Sequence, residues 1–365
     1  MAEATRAPVS ARFHPLTVAH IARETRDSVV LTLTVPDAAR AAFRYTQGQY
    51  LTFRAMLDGI EERRSYSICS GVGDPHLRVG IKKVAGGLFS TYANEALKVG
   101  DTLDAMAPMG HFFVPLDPAA RRHVVAFAAG SGITPILGIL RTMLAAEPHS
   151  RFTLVYGNRA SSSIMFRDEI EDLKSLHMAR LSVIHVLSRE QQDVELFNGR
   201  LTREKCDGLL DRWIGAGSID TAFICGPQEM MLDVSESLAS RGVDRARIKF
   251  ELFATAARSV ARPIPAETSA STEACETTIV IDGHARSFTM PKGRISVLEA
   301  GMAQGIELPY ACKGGVCSTC RAMVLEGQVD MDANFALEDY EIARGYVLTC
   351  QSFAASDRLV FDYDK

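Results

Sequence analysis

Four cysteines cluster toward the end of the chain: Cys312, Cys317 and Cys320, with Cys350 further on. The first three read C-x₄-C-x₂-C, the ligand spacing of a plant-type 2Fe–2S cluster. Iron takes soft thiolate ligands, and a two-iron cluster takes two for each iron. Gly314 and Gly315 let the loop backbone wrap closely and aim N–H groups at the sulfurs, while Ser318 and Thr319 are small enough for a tight loop. A structural zinc site usually shows paired C-x₂-C ends, whereas here the fourth cysteine stands alone. Zinc and a disulfide remain the competing uses of these thiols. Cys69, Cys206 and Cys275 match no ligand position and read as small buried hydrophobes.

Two other groups of residues could hold phosphates and a flat ring. Arg64-Ser65-Tyr66-Ser67 lies on a strand-like segment, where Arg64 and Tyr66 share one face and Ser65 and Ser67 the other. An arginine pairs with phosphate bidentately; a tyrosine packs on a ring, and a serine hydroxyl can bond a ring nitrogen. Gly86-Gly87-Leu88-Phe89-Ser90-Thr91 then opens a helical pattern, so free backbone N–H groups make an anion site. Gly130-Ser131-Gly132-Ile133-Thr134-Pro135 directly follows the apolar run Val124 to Ala129. Strand, glycine turn and helix let the backbone approach a pyrophosphate, and Pro135 sits where a missing N–H costs little. Tyr156-Gly157-Asn158-Arg159 and Cys225-Gly226-Pro227 close two further strands. In an open parallel sheet all three strand ends meet at one crevice. Arg159, with Ser161 nearby, offers a partner for a 2′-phosphate, and no acidic residue at that strand end offers one for a free ribose diol. This favours NADPH.

These groups need elements to position them. The 365 residues suit two or three domains. With 47% hydrophobic and 23% charged residues, the chain can bury cores, and a net charge of −4 excludes a general nucleic-acid binder. Met1 to Ser10 lacks the apolar core of a signal peptide and reads as a frayed end. The longest uncharged run, Val124 to Leu140, is broken by two glycines and a proline and reads as strand, turn and helix rather than a membrane span. A soluble cytoplasmic protein, with neither membrane nor nucleic-acid partner, is the expectation. Short strands at Val29 to Val35, Tyr50 to Phe53, Ser65 to Cys69 and Leu77 to Val84 suggest an antiparallel barrel or sandwich. Continuous apolar runs at Val124, Phe152, Val183 and Ala222 alternate with helical patterns, which implies a parallel α/β sheet, with Ile248 to Phe253 as a last strand. Ala254 to Ala274 reads as a linker, followed by a hairpin turning at Asp282-Gly283 and a short helix from Val297 to Gln304. From Glu273 onward 14 acidic residues face 8 basic ones, so the terminal domain is the acidic one.

Together the segments Arg64 to Ser67, Gly87 to Ser90, Gly130 to Pro135 and Leu308 to Cys320, with Leu348-Thr349-Cys350-Gln351, resemble the ferredoxin–NADP reductase superfamily carrying a C-terminal plant-type ferredoxin. The resemblance runs over nearly the whole chain. It implies a flavin-binding antiparallel β-barrel at 10–115, an α/β nucleotide domain at 116–255, a linker at 256–274 and a β-grasp 2Fe–2S domain at 275–365. It further implies that Arg64, Ser65, Gly87, Ser90 and Thr91 hold FAD, that Tyr66 covers the flavin and that Ser67 approaches its N5. Gly130, Gly132, Thr134, Pro135, Arg159, Gly226 and Pro227 would hold the nucleotide, with Cys225 beside the nicotinamide and Phe253 against the flavin. The implied chemistry splits the two electrons of NADPH through FAD and the cluster to an oxygenase, here of the di-iron kind. A reductase serving a ring-hydroxylating or alkane oxygenase, and a non-catalytic redox sensor, are the competing expectations.

Overall fold

The computed structural model describes residues 12–253 and 273–365. The expected frayed terminus and nearly all of the expected linker lie outside the described residues. Ala274, placed in that linker by sequence, instead begins a strand.

The first sheet is antiparallel and contains β1 (Phe13–Thr25), β2 (Ser28–Thr34), β3 (Tyr50–Leu57), β4 (Ile60–Ser67), β5 (Leu77–Lys82) and β6 (Thr102–Met106), in the order β4-β3-β6-β1-β2-β5. A bridge between Ile68 and Val79 joins its two edges, so the sheet closes into a barrel. Helix α1 (Leu88–Glu95) packs on it. Alternation works here as expected: Val29, Leu31 and Leu33 enter the barrel core. Val30, on the opposite face, is also buried and belongs to the core of the next domain.

The second sheet is wholly parallel: β7 (His123–Ala129), β8 (Arg151–Asn158), β9 (Leu181–Leu187), β10 (Thr221–Gly226) and β11 (Ile248–Leu252), ordered β11-β10-β7-β8-β9. Its helices are α2 (Ile133–Ala146), α3 (Arg167–Leu176), α4 (Arg203–Leu209) and α5 (Gln228–Ser240). Strand β7 is apolar from Val124 onward because both its faces are covered. Helix α2 is buried on nearly all sides, since it lies between this sheet and the barrel. At Gly138 the approach is close enough that a Cβ would stand 2.7 Å from the Ile68 carbonyl oxygen. The apolar core of the α/β domain thus reaches onto the barrel at Val30 and Cys69, beside the barrel's own core.

The third sheet mixes directions: β12 (Ala274–Ile281), β13 (His284–Pro291), β14 (Arg321–Glu326), β16 (Tyr346–Leu348) and β18 (Arg358–Asp362), ordered β13-β12-β18-β14-β16. Only β12 and β18 pair in parallel. The small pair β15 (Val329–Met331) and β17 (Ser352–Ala354), with α6 (Val297–Ala303) and α7 (Asp339–Ala343), completes a β-grasp. The expected hairpin turns at Asp282 and Gly283, both with positive φ. Among the described residues no helix is long and apolar enough to cross a membrane.

Candidate functional site

A cavity of about 830 Å³ opens where the three domains meet. The barrel contributes Arg64, Ser65, Tyr66 and Ser67 from β4, and Gly87 and Ser90 from the start of α1. All four β4 residues reach it, although strict alternation would have divided them. Tyr66 is held by tilted contacts with Phe53 and Phe89, at centroid distances of 6.3 and 5.6 Å. Burial pushes its phenol up, so it stays neutral. Ser65 bonds Thr52 at 3.0 Å. Arg64 is half exposed and paired with Glu62 at 2.7 Å, so a phosphate bound there would share or displace that carboxylate.

The turn before α1 is built as a cradle. The Ser90 hydroxyl accepts from Val84 N–H at 3.1 Å and donates to the Gly87 carbonyl at 3.2 Å. A Cβ on Gly87 would meet Ser90 Oγ at 2.6 Å, so the backbone lies bare beside the cavity. Thr91 closes the first helical turn onto Gly87 and does not line the cavity.

At the sheet's carboxyl edge, Gly130 to Gly132 form a 3₁₀ turn running into α2. The Thr134 hydroxyl donates to the Ser131 carbonyl at 3.0 Å, and both residues line the cavity. Gly132 packs on the end of β10: a Cβ there would stand 2.1 Å from the Cys225 carbonyl oxygen. Pro135 lies buried in the first turn of α2. Gly226 closes on Met230, and Pro227 precedes α5. Cys225 is wholly buried in the core, does not line the cavity, and burial pushes its thiol up, which suppresses thiolate chemistry. Phe253 lines the cavity and packs on the core of the α/β domain.

Arg159 lies exposed past β8, away from the cavity. Ser161 is engaged by an acidic residue after all: its N–H donates to Glu190 at 2.7 Å, and its hydroxyl donates to the same carboxylate. Glu190 arrives from beyond the neighbouring strand β9, which the sequence order concealed.

Cys312 and Cys317 line the cavity from the third domain, while Cys320 and Cys350 are buried behind them. The thiols meet in two pairs, Cys312 with Cys317 and Cys320 with Cys350. Among the described residues no three metal-ligating side chains converge for a single ion. Two pairs of soft donors suit two irons better than one tetrahedral zinc. The Gly314 N–H points at Cys312 Sγ, 3.3 Å away. The Cys317 thiol and the N–H groups of Gly314, Val316 and Cys317 hold Cys312 below the ordinary thiol range, favouring the thiolate that a metal requires. Lys313, Gly315 and Ser318 all take positive φ, the curvature needed to wrap a cluster. Cys69, Cys206 and Cys275 are buried, as expected.

Three residues carry no signal in the sequence that would have marked them. Glu251 on β11 is half-buried, lines the cavity and accepts from Ser67 Oγ at 2.9 Å. Burial raises it to about 7. In sequence it is one of two charged residues, with Lys249, in the segment Ile248 to Phe253, and nothing there sets it apart. Tyr50 on β3 donates from its hydroxyl to the Cys317 carbonyl and lies 3.1 Å from Thr319 Oγ1, linking barrel to cluster loop. Arg63 bonds the Leu308 carbonyl at 3.2 Å. No local pattern announces contacts 245 or more residues apart.

A half-buried tyrosine, two glycine turns at helix starts and a loop of paired thiols surround one cavity, as suits a flavin- and iron–sulfur-dependent oxidoreductase. Known proteins agree. Residues 15–114 match the oxidoreductase FAD-binding domain family, 127–236 the oxidoreductase NAD-binding domain family and 279–355 the 2Fe-2S iron-sulfur cluster binding domain family. The chain belongs to the three-domain FAD, NAD and 2Fe–2S reductases. It is 42% identical over 352 residues to a component of the 1,2-phenylacetyl-CoA epoxidase of Escherichia coli (strain K12), covering 96% of this chain and 98% of that one. It is 31% identical to the 3-ketosteroid-9-alpha-monooxygenase ferredoxin reductase component of Rhodococcus rhodochrous, covering 98% of each. The solved structure of phthalate dioxygenase reductase shares the fold with a TM-score of 0.55 at 23% identity, over 96% of this chain and 98% of that one.

Proposed function

We propose that this protein carries electrons from NADPH through FAD and a 2Fe–2S cluster to an oxygenase of the phenylacetyl-CoA epoxidase type, a di-iron enzyme. One observation supports this most: residues suited to flavin, nucleotide and cluster line a single cavity. When bound, a flavin accepts two electrons together as hydride and releases them singly, which a one-electron cluster requires.

The chain's own part is positioning. Gly87, Ser90 and Arg64 hold the flavin's phosphates, Thr91 closes the helical turn behind Gly87, Ser65 joins them from the cavity wall, and Tyr66 covers the ring. Ser67 presents its hydroxyl toward N5 and is oriented by Glu251. Gly130, Gly132, Thr134 and Pro135 receive the nucleotide pyrophosphate at the start of α2, with Gly226 and Pro227 forming the opposite wall. Cys225 acts through its carbonyl against Gly132. Phe253 closes the flavin side. Cys312, Cys317, Cys320 and Cys350 hold the cluster.

Arg159 supplies the charge for a 2′-phosphate, and Glu190 must release Ser161 for it. Arg159→Ala should lower kcat/KM for NADPH about tenfold or more while sparing NADH, a loss in keeping with one charge-assisted contact. Equal loss with both nucleotides would refute the NADPH assignment. The oxygenase assignment is tested by supplying purified phenylacetyl-CoA epoxidase components: NADPH-driven epoxidation supports it, and none, alongside normal cytochrome c reduction, refutes it.

A further inference from the structure

The third domain touches the barrel at the stem of its cluster loop. Arg63, on β4, is 6% exposed, an unusual place for an arginine. Its Nε donates to Glu61 at 2.8 Å. Its outer nitrogen crosses to the third domain and donates to the Leu308 carbonyl at 3.2 Å. Its guanidinium lies 4.1 Å from the centroid of the Tyr310 ring and 4.9 Å from that of Phe13. The Tyr310 hydroxyl returns to Glu61 at 3.3 Å. Beside it, Arg54 reaches Glu307 at 3.4 Å. Glu307, Leu308 and Tyr310 lead straight into Cys312.

Two features separate this contact from a fixed domain seam. The first is its chemistry. Barrel residues Val30 and Cys69 enter the apolar core of the α/β domain, whereas the third domain's core takes in no residue of the barrel and the two meet here through hydrogen bonds and cation–π contacts. Such polar interfaces open far more readily. The second is exposure. Cys312 and Cys317 are the two partly exposed cysteines of the set, and both face the cavity; Cys320 and Cys350 are buried. The face that presents the thiols to the barrel is therefore also the face an acceptor protein must reach.

We propose that Arg63 is a latch: it holds the ferredoxin domain by the stem of its cluster loop in the position that receives electrons, and the contact opens when the domain delivers them. This rests on the electron path proposed above. Arg63 is a positioning residue; it acts on the stem and touches no cofactor-binding group across that contact. Its planar fork matters, because it must serve Glu61, Leu308 and the Tyr310 face at once.

The test uses the full-length protein with its cofactors. Arg63→Gln removes the latch from the barrel side, and Tyr310→Leu removes it from the other side should the first variant fold poorly. Backbone hydrogen exchange is followed over residues 307–312, and anaerobic stopped-flow separates flavin bleaching by NADPH from cluster bleaching. Either variant should exchange faster over 307–312 and reduce its cluster about tenfold more slowly, the scale of one charged hydrogen bond. Flavin reduction should stay at the wild-type rate. Dithionite-reduced variant should pass electrons to cytochrome c at least as fast as the wild type. Unchanged exchange and cluster bleaching in both variants would overturn the latch, as would flavin reduction slowed equally, or slower delivery to cytochrome c. A wild-type cluster that never bleaches with NADPH would refute the electron path instead, and the exchange arm would still decide the latch.

Discussion

Gly132→Ala tests the nucleotide turn most sharply, because the structure fixes what the added methyl meets. An ideal Cβ at Gly132 stands 2.1 Å from the Cys225 carbonyl oxygen, 2.6 Å from its carbon and 3.1 Å from the Gly226 nitrogen. Carbon and carbonyl oxygen rest about 3.3 Å apart at closest, so the two segments must separate by about 1.2 Å. Neither yields easily. Cys225 is paired in register with Ala128 on one side and Glu251 on the other. Gly132 leads into α2, whose Ile133, Ile136 and Leu137 are fully buried. Overpacking of this kind costs about 1–3 kcal/mol. A displacement of about 1 Å at a site that works by positioning costs about 100-fold in rate. Stopped-flow reduction of the flavin by NADPH should therefore lose about 100-fold in kcat/KM, with flavin and cluster absorbance retained. Gly217→Ala, where a Cβ meets nothing within 4 Å, serves as the control. Gly132→Ala reduced at the wild-type rate and KM would show that the turn does not position the nucleotide.

Further outcomes follow from the same geometry. Cys317→Ser should abolish cluster absorbance and delivery to the oxygenase but spare reduction of a small dye by the flavin; equal loss of both would contradict the order of carriers. Glu251 is raised to about 7 by burial, so its share of stability is complete below the usual carboxyl range and is lost as pH rises through about 7. Glu251→Gln should flatten the fall in Tm across that interval. His123, held between Ser218 and Thr153 at 2.9 Å each, is lowered to about 4 by burial and by Arg151. Its contribution is full above the ordinary histidine range and lost as pH falls toward about 4, so His123→Gln should weaken the acid dependence of Tm. Melting curves across pH check both.

Much of this architecture was legible because its signals are local. The run Val124 to Ala129 and the glycines after it specify strand, turn and helix within a few residues, and all three formed there. The cysteine spacing and the turn at Asp282-Gly283 are equally local. Strand β1 was not foreseen, since of its 13 residues only Leu16, Val18 and Thr25 are buried and its polar stretches hide the alternation. Strand β4 was foreseen only from Arg64, and the polar stretch Ile60 to Arg63 joins it through pairing with β3. The functional residues that escaped were those whose meaning depends on tertiary approach. Glu251 acquires its role from Ser67, Glu190 from Ser161, and Tyr50 from the Cys317 carbonyl. The burial of Cys225 has the same origin: a strand-end position suggests access, while packing against α2 removes it.

A single electron path through one cavity underlies all of these outcomes. The visible spectrum of the purified protein, taken before and after anaerobic NADPH, puts that path to the test in one step. Flavin and iron–sulfur bands should both bleach, the flavin first. Flavin bleaching with an unchanged iron–sulfur band, or a colourless protein whose cysteines bind only zinc, would contradict the path.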